Sequence, residues 1–386
     1  MNISERTPEP GAGTGVTITR VETIPLHVPF REPFKIANGA ARPSVEILLV
    51  RLHTNEGLVG VGETQAWRRQ GSAETLAGLT RTIADHFAPH LLGKSPFALP
   101  SIMHRLEEAI YYSLYAQAAV ADALYDLQGK ILGVPVHRLI GGKCRDSVSA
   151  CAVLPIKSSL QETMDGAAEF FERGYRSFTV KIGLSAADDL RNVRALRERF
   201  GDVVVIRVDA NAGMEFDGAL ALLKKLEPYG IDAAEQLLPI WDVDGMAELA
   251  RRVDIALMAD ECVATDHDLI QVIKKRAATV VQTKVAKNGG LWNSRKLWFI
   301  ADAAGMRIYP GNHPSTSIGT ASVVHLAAAW PGTLLDGPFP VGISTFSDDV
   351  VTEPISLEGN RVRVPEAPGW GFTLDEDRIR RLRVDL

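Results

Sequence analysis

Five ionisable residues recur through the middle of the chain at nearly constant spacing. They are Lys181, Asp209, Glu235, Asp260 and Lys284, and the successive separations are 28, 26, 25 and 24 residues. Each ends or follows an apolar run, where an unpaired charge is costly to bury. Three carboxylates without histidine or cysteine make an all-oxygen site, which suits Mg²⁺, or Mn²⁺, rather than Zn²⁺. One lysine stands on each side of the carboxylates in chain order.

This combination of residues indicates proton transfer at a carbon next to a carboxylate. A divalent cation can hold the substrate carboxylate and stabilise the enolate that forms when the α-proton leaves. A lysine takes that proton only when neutral, so its pKa must fall from about 10.4 toward about 7 to 8. Burial and a nearby dication both lower it. Two lysines on opposite sides could remove the proton on one face and return it on the other.

The separations correspond to one strand and one helix each, which predicts how the five residues are brought together. Over residues 147–340, eight short β runs such as SFTVKIG, VVVIRVDAN and IALMADECV alternate with helical runs. Eight such units predict an α/β fold, a (β/α)8 TIM-type barrel, with its site at the carboxyl ends of the strands. A doubly wound sheet is the runner-up, and the segment lacks the phosphate-binding loop typical of that fold.

The two flanks of this segment predict a second unit and a tail. Residues 16–146 change from β-branched, alternating sequence to helical sequence, which is typical of an α+β unit. Residues 341–386 are too long for a barrel tail alone, and we expect them to fold back onto that unit as part of a capping domain. Residues 1–15 are polar and rich in Gly and Pro, which predicts a disordered tail.

Composition excludes several classes of protein. The 386 residues carry a formal net charge of -5 without a basic stripe, so nucleic acid is not expected as a partner. Cys144, Cys151 and Cys262 lack the spacing of a disulfide framework or a zinc site. No apolar run approaches the roughly 18 residues of a membrane span. We therefore expect a cytoplasmic protein that acts on a small molecule.

At these residues the sequence resembles the enolase superfamily. The likeness is to the muconate lactonizing enzyme (muconate cycloisomerase) subgroup of the mandelate racemase/muconate lactonizing enzyme family. It runs from about Val16 nearly to the end of the chain. The motifs that carry it are ALYDLQGKILGVPVHRLIGG, TVKIG, VDAN, EQ followed by Pro239, ADE, KVAKNGG, SIGTA and VRVPEAPGWGFTLDEDRI.

The resemblance implies roles for individual residues. Asp209, Glu235 and Asp260 would be Mg²⁺ ligands, and Lys181 and Lys284 would be the acid/base pair. The capping domain would select a small carboxylate substrate through loops at 31–40 and 67–72, where Arg68 and Arg69 could meet an anion. A homo-oligomer is also implied. The candidate substrate contacts are Thr179, Asn211, His313, Ser315 and Asp336.

The sequence departs from the family pattern at two strands. The second strand usually reads Lys-x-Lys, whereas here it reads Thr179-Val180-Lys181. On the eighth strand, muconate enzymes usually carry a Glu where this chain has Leu334, and dipeptide epimerases carry Asp-x-Asp where it has only Asp336. Neither specificity is therefore cleanly indicated.

Several functions remain open from the sequence. The first is cycloisomerisation of a muconate-like diacid. The second is racemisation or epimerisation of an amino-acid derivative, such as an N-acyl amino acid, a dipeptide or a proline betaine. Dehydration of an acid sugar, for which His313 is the candidate, is a third. A Schiff-base aldolase with a lysine nucleophile and a non-catalytic binding barrel are further alternatives.

Overall fold

A computed structural model describes residues 15–34, 42–66 and 74–385. The predicted tail lies almost wholly outside these residues. So do most of the first predicted substrate loop and all of the second, including Arg68 and Arg69. No helix of the described residues is long and apolar enough to cross a membrane.

The N-terminal part forms an antiparallel three-stranded sheet in the order β1-β2-β3. The strands are β1 (Ile18–Phe34), β2 (Arg42–Thr54) and β3 (Val59–Gln65). β2 is apolar at consecutive positions from Ile47 to Val50, and all four side chains are fully buried. Successive side chains point to opposite faces of a strand, so both faces of the sheet are covered at β2.

Helices follow the sheet, as the change of periodicity predicts. They are α1 (Leu76–Arg81), a π-helical turn (Thr82–Phe87), α2 (Ala88–Leu91), α3 (Leu99–Ala109), α4 (Leu114–Leu132) and α5 (Val136–Leu139). α4 is buried over most of its length and packs against β3. Gly60 and Gly62 allow this contact, because a Cβ on Gly62 would lie 1.9 Å from the Ala119 carbonyl oxygen.

A parallel sheet of seven strands forms the second part of the molecule. After the short strand β4 (Ser147–Ser149), its strands are β5 (Ala152–Leu154), β6 (Ser177–Lys181), β7 (Val205–Asp209), β8 (Ala233–Glu235), β9 (Leu257–Ala259), β10 (Val280–Lys284) and β11 (Arg307–Gly311). The spatial order follows the chain order from β5 to β11. A doubly wound sheet reverses its strand order at a switch point, so this topology excludes the doubly wound sheet that was the alternative prediction.

One helix follows each strand of this sheet. These helices are α6 (Leu160–Glu172), α7 (Ala186–Phe200), α8 (Phe216–Leu226), α9 (Val243–Arg252), α10 (Asp266–Lys275), α11 (Leu291–Ala303) and α12 (Ser317–Ala329). Short 3₁₀ turns follow α7 at Gly201–Val203 and α8 at Glu227–Tyr229. Ser159, Ser185 and Thr265 begin α6, α7 and α10 by accepting a hydrogen bond from a backbone N–H of the first turn.

The predicted eighth strand, TLLDGPF, contacts both edges of the sheet. Leu334 forms a parallel bridge to Ile308 of β11, and Gly337 forms one to Ala150, just before β5. The predicted first strand is divided. Its residues Ser147–Ser149 leave the parallel sheet as β4 and pair with β13 (Arg361–Arg363), which in turn pairs with β12 (Leu357–Glu358).

The C-terminal residues return to the N-terminal sheet. After α13 (Val341–Thr345), Phe346 forms a bridge to Phe30, and Arg383, just past α14 (Glu376–Leu382), forms one to Leu26. Trp370 is buried and donates a hydrogen bond to the Val61 carbonyl oxygen at 2.8 Å.

Charged and apolar side chains occupy different parts of the parallel sheet. Near the amino ends of the strands, Arg207 and Arg307 pair with Asp232 at 2.8 and 2.7 Å. A small apolar cluster of Cys151, Ala233, Met258, Val280 and Tyr309 adjoins them, and the Arg207 guanidinium lies 5.0 Å from the centre of the Tyr309 ring. The predicted charged residues lie at the carboxyl ends of the strands.

The close contact between β3 and α4 leads to a prediction about stability. Gly62→Ala places a methyl group against the α4 backbone, and we expect it to lower the free energy of unfolding by about 3 kcal/mol. Gly218→Ala is the matched control, because a Cβ there meets nothing within 4 Å and alanine favours a helix. Urea unfolding measures both, and equal stabilities would contradict the packing described.

Candidate active site

The five spaced residues all lie at the carboxyl edge of the parallel sheet. Lys181, Asp209, Glu235 and Lys284 are the last residues of β6, β7, β8 and β10, and Asp260 directly follows β9. The pairing of β6, β7 and β8 aligns Lys181 with Asp209 and Asp209 with Glu235. Parallel strands with this alignment present their last side chains at one rim.

Ion pairs join the lysines to two of the carboxylates. Lys181 Nζ contacts Asp209 Oδ2, and Lys284 Nζ contacts Asp260 Oδ2. A third lysine, Lys287, lies 3.0 Å from Asp260 Oδ1 and donates to the Val263 carbonyl oxygen at 2.8 Å. All of these groups except Lys181 are nearly inaccessible to solvent. Buried charges are tolerated when they are paired in this way.

These pairs set the protonation of the site. Burial lowers the pKa of Lys284, but the facing carboxylates Asp260, Glu261 and Glu235 outweigh it and hold that pKa above its ordinary value. The pKa of Lys181 is raised for the same reason, mainly by Asp209. Proton abstraction by a neutral lysine requires a lowered lysine pKa, which is the opposite of what these ion pairs produce. In the arrangement described, each lysine must separate from its carboxylate before it can act as a base.

The carboxylates form a connected set that fits an oxygen-preferring cation. Gln282 Nε2 donates to Glu235 Oε1 at 3.0 Å and to Asp260 Oδ2 at 3.1 Å, so these two carboxylates are neighbours. Among the described residues, the other Glu235 oxygen is buried without a hydrogen-bond partner. Burial and the charges of Asp209 and Asp260 hold the pKa of Glu235 well above its ordinary value. A further positive charge would relieve this repulsion.

The three carboxylates are nevertheless not arranged around one common metal position. Among the described residues, no three histidine, cysteine, aspartate or glutamate side chains are grouped as they would be around a metal ion. The ammonium groups of Lys181 and Lys284 neutralise Asp209 and Asp260 instead. The set therefore fits a cation by the chemistry of its donors and by the unpartnered oxygen of Glu235.

Three of the five candidate substrate contacts line a small pocket with the two lysines. This pocket has a volume of about 50 Å³, and Thr179, Asn211 and His313 lie in its wall. Asn211, which has a left-handed backbone (φ 46°), accepts a hydrogen bond from Lys181 at 2.9 Å. Burial and the charge of Lys284 hold the pKa of His313 well below its ordinary value, so its imidazole is neutral.

The other two candidates lie elsewhere. Ser315 accepts a hydrogen bond from Asn312 Nδ2 at 2.5 Å and supports the turn that carries His313. Asp336 accepts one from Ser177 at 2.8 Å, at the opposite end of the sheet, and is not part of the pocket wall. Ser177 begins β6, whereas Lys181 ends it, and this separates Asp336 from the lysines.

Thr179 takes part in a neutral hydrogen-bonded group beneath the pocket. Its Oγ1 lies 2.6 Å from the Tyr309 hydroxyl, which lies 3.0 Å from the Cys151 sulfur. Burial raises the pKa of the Cys151 thiol, which keeps it protonated. The position where the family usually has a lysine is thus filled by a hydroxyl group whose partner is another hydroxyl.

Sequence reasoning did not identify four residues that support the site: Glu63, Glu261, Gln282 and Lys287. Gln282 could have been predicted from the sequence pattern, because it lies two residues before Lys284 and strand alternation places it on the same face. Glu63 was not, because it belongs to β3, more than two hundred residues from its partners. Its carboxyl group accepts hydrogen bonds from Thr316 N at 2.9 Å and Gly319 N at 3.2 Å, and so holds the turn that carries His313.

Comparisons with known proteins agree with this fold. Residues 162–378 match the family described as enolase C-terminal domain-like. Residues 18–141 match the mandelate racemase/muconate lactonizing enzyme N-terminal domain. The chain therefore belongs to the mandelate racemase/muconate lactonizing enzyme family of the enolase superfamily, as its motifs predicted.

The relatives in this family include more than one kind of isomerase. Muconate cycloisomerase 1 of Rhodococcus opacus is 34% identical, over 95% of this chain and 98% of that protein. N-succinyl-L-Arg/Lys racemase of Bacillus cereus is 30% identical, over 95% of this chain and 98% of that protein. The structure of muconate lactonizing enzyme from Pseudomonas fluorescens, complexed with muconolactone, has a TM-score of 0.91 at 30% identity and covers 95% of this chain and 99% of that one. The predicted isomerase class is confirmed.

The buried position of Glu63 leads to a prediction about pH. Burial raises its pKa from 4.5 to about 7 in the folded protein, so the folded state binds a proton more tightly than the unfolded chain. Stability from this group is complete below pH 4.5 and is lost as pH rises through about 7. We expect Glu63→Gln to remove a decrease of about 3 kcal/mol in unfolding free energy over this range.

Urea unfolding at several pH values measures this difference. Glu353→Gln is the control, because Glu353 is exposed. A Glu63→Gln protein with the same pH dependence as the wild type would contradict the role given to burial.

Proposed function

We propose that this protein abstracts the α-proton of a small carboxylate substrate with the help of a divalent metal ion. The observation that carries the proposal is the group of three buried carboxylates between Lys181, which is partly exposed, and Lys284, which is buried, at one sheet edge. Asp209, Glu235 and Asp260 would hold Mg²⁺, and Mn²⁺ also suits this donor set. When bound, the ion would supply positive charge to stabilise the enolate.

Lys181 and Lys284 would act as the acid and base. They end β6 and β10, and the strands that carry the three carboxylates lie between them in the sheet. A substrate held at the carboxylates would therefore have one lysine on each side. The neutral His313 and the Asn211 amide offer polar contacts in the same pocket. Thr179 offers a hydroxyl group in place of the family's usual lysine.

We also propose the domain organisation that this chemistry requires. Residues 147–340 would form the (β/α)8 barrel, with residues 334–337 as its eighth strand. Support comes from the bridges of this segment to Ile308 and Ala150 at the two sheet edges. Residues 16–146 and 341–386 would form the capping domain, supported by the bridges of Phe346 and Arg383 to β1. The homo-oligomer stays a prediction.

Cycloisomerisation of a muconate-like diacid is the first candidate reaction. It is supported by similarity to muconate cycloisomerases over nearly the whole chain. Racemisation or epimerisation of an amino-acid derivative is the second. It is favoured by the presence of both lysines and by Leu334, which stands where muconate enzymes usually carry a Glu.

Substitution of the lysines tests the proposed reaction. We expect Lys181→Ala or Lys284→Ala to reduce exchange of the substrate α-proton by about 10³-fold, because each removes the acid or base. The fold should persist, since Asp260 keeps Lys287 and Asp209 keeps Asn211 as partners. NMR of deuterium incorporation measures the loss, and Lys274→Ala, on the exposed surface of α10, is the control. Full activity in either active-site variant would contradict the proposal.

Assays of candidate substrates distinguish the two reactions. With Mg²⁺ present, turnover of cis,cis-muconate without α-proton exchange in N-acyl amino acids, dipeptides or proline betaines supports the cycloisomerase. Exchange with both enantiomers of one of those derivatives supports the racemase or epimerase. Removal of the metal by EDTA should abolish either activity and added Mg²⁺ should restore it. Activity that survives EDTA would contradict the metal site.

A further inference from the structure

A groove separate from the catalytic pocket lies where the end of α12 meets the segment that follows α5. Ile140 and Cys144 come from that segment, and Ala329 is the last residue of α12. Phe299 of α11 and Trp330 complete the walls. The volume of about 300 Å³ is at the lower end of the roughly 300 to 1,000 Å³ typical of small-molecule sites. Among the described residues, none lines both this groove and the catalytic pocket.

The walls of this groove are apolar and are fixed by aromatic packing. Leu326 and Trp330 are buried, whereas Phe299 is 52% exposed to solvent. The ring of Trp330 packs edge to face against the rings of Phe299 and Trp298, with ring centres 5.2 and 5.5 Å apart. Edge-to-face contacts of this kind are favourable, so the aromatic wall is formed before a ligand arrives. A ligand with an apolar body would remove the exposed surface of Phe299 from water.

The carbonyl groups at the end of α12 already have hydrogen-bond donors. Cys144 N donates to the Ala328 carbonyl oxygen at 2.7 Å, and the Cys144 thiol donates to that of Ala329 at 3.7 Å. Arg145 donates to the Trp330 carbonyl oxygen at 2.7 Å. These contacts satisfy the carbonyl groups that a helix leaves unpaired at its end. A ligand that only donates hydrogen bonds would have to compete with them.

Two donor groups on the lining residues, in contrast, have no acceptor. Within the described part of the chain, Arg295 is the one charged side chain that lines the groove. Its guanidinium makes no ion pair or hydrogen bond with a described residue, and it lies 5.5 Å from the centre of the Phe299 ring. The indole Nε1 of Trp330 is buried and also lacks a hydrogen-bond partner among those residues. Both groups can only donate, so the groove favours a ligand that accepts hydrogen bonds and carries negative charge.

We propose that this groove binds a monocarboxylate with an aromatic body, at a site separate from the catalytic pocket. Arg295 would hold the carboxylate, because a planar guanidinium matches a carboxylate with two parallel hydrogen bonds. The wall of Phe299 and Trp330 would hold the aromatic body. An ammonium group on the ligand would face the charge of Arg295 without a compensating anion in the described lining, so a cationic ligand is excluded.

Cys144 provides a reporter of this groove. It is exposed, whereas Cys151 is buried and Cys262 is partly buried, and the sequence has no other cysteine. A ligand in the groove would cover the Cys144 thiol and slow its alkylation by iodoacetamide. Peptide mass spectrometry assigns the alkylation to Cys144, so the measurement distinguishes this groove from the catalytic pocket. EDTA in the buffer keeps the result independent of the proposed metal site.

The test compares three probes that share one ring system on the full-length protein: 2-naphthoate, 2-naphthylmethanol and 2-naphthylmethylamine. We expect 2-naphthoate to protect Cys144 at about a tenfold lower concentration than the neutral alcohol, because it accepts charged hydrogen bonds from Arg295. The amine, which is protonated at neutral pH, should not protect. Arg295→Gln should remove the preference for the carboxylate, and Arg295→Lys should keep part of it. Phe299→Ala should weaken protection by both the carboxylate and the alcohol.

Arg199→Gln is the matched control. Arg199 also lies over a phenylalanine ring, 5.3 Å from the centre of Phe200, and it is outside the groove, so protection should not change. The proposal would be overturned if 2-naphthoate did not protect Cys144, if the alcohol protected equally well, or if Arg295→Gln kept the preference. Alkylation of Cys144 only after dilution dissociates an oligomer would also overturn it, because a second copy of the chain would then cover the groove.

Discussion

The burial of charge at the carboxyl ends of the parallel strands is the constraint on which the site depends. Asp209, Glu235 and Asp260 are almost completely shielded from water, and carboxylates in that position repel one another. Lys181, Lys284 and Lys287 compensate two of them. Glu235 remains incompletely compensated, because one of its oxygens has no hydrogen-bond partner in the part of the chain that the structure describes. The three carboxylates that repel one another are also the oxygen ligands that a divalent cation prefers.

Carboxyl groups from outside the parallel sheet accept hydrogen bonds from the amino ends of helices α11 and α12, which lie beside the site. Glu63 of β3 and Asp349 of the C-terminal segment accept hydrogen bonds from the first backbone N–H groups around α12. Asp122 of α4 accepts one from Leu291 N, at the start of α11, at 2.9 Å. The amino ends of helices attract negative charge, so these contacts favour one placement of the N-terminal and C-terminal segments. The turn that carries His313 depends on the first of them.

The sequence predicted the repeated elements well, and long-range contacts poorly. Spacing alone indicated that Lys181, Asp209, Glu235, Asp260 and Lys284 share a rim, because one strand and one helix separate each pair. The position of Asp336 could not be predicted in this way. Its contacts with Ser177 and Arg207 depend on where residues 334–337 meet β5. The division of the predicted first strand had the same origin, because β4 pairs with β13 from the far end of the chain. Neither partner is visible in local pattern.

A crystal structure with Mg²⁺ and a substrate carboxylate would test the central claim most directly. We expect one Mg²⁺ ion held by Asp209, Glu235 and Asp260, with Lys181 and Lys284 released from their ion pairs and on opposite sides of the α-carbon. An ion bound elsewhere, or both lysines on the same side of the substrate, would contradict the claim that these five residues form a metal-assisted proton-transfer site.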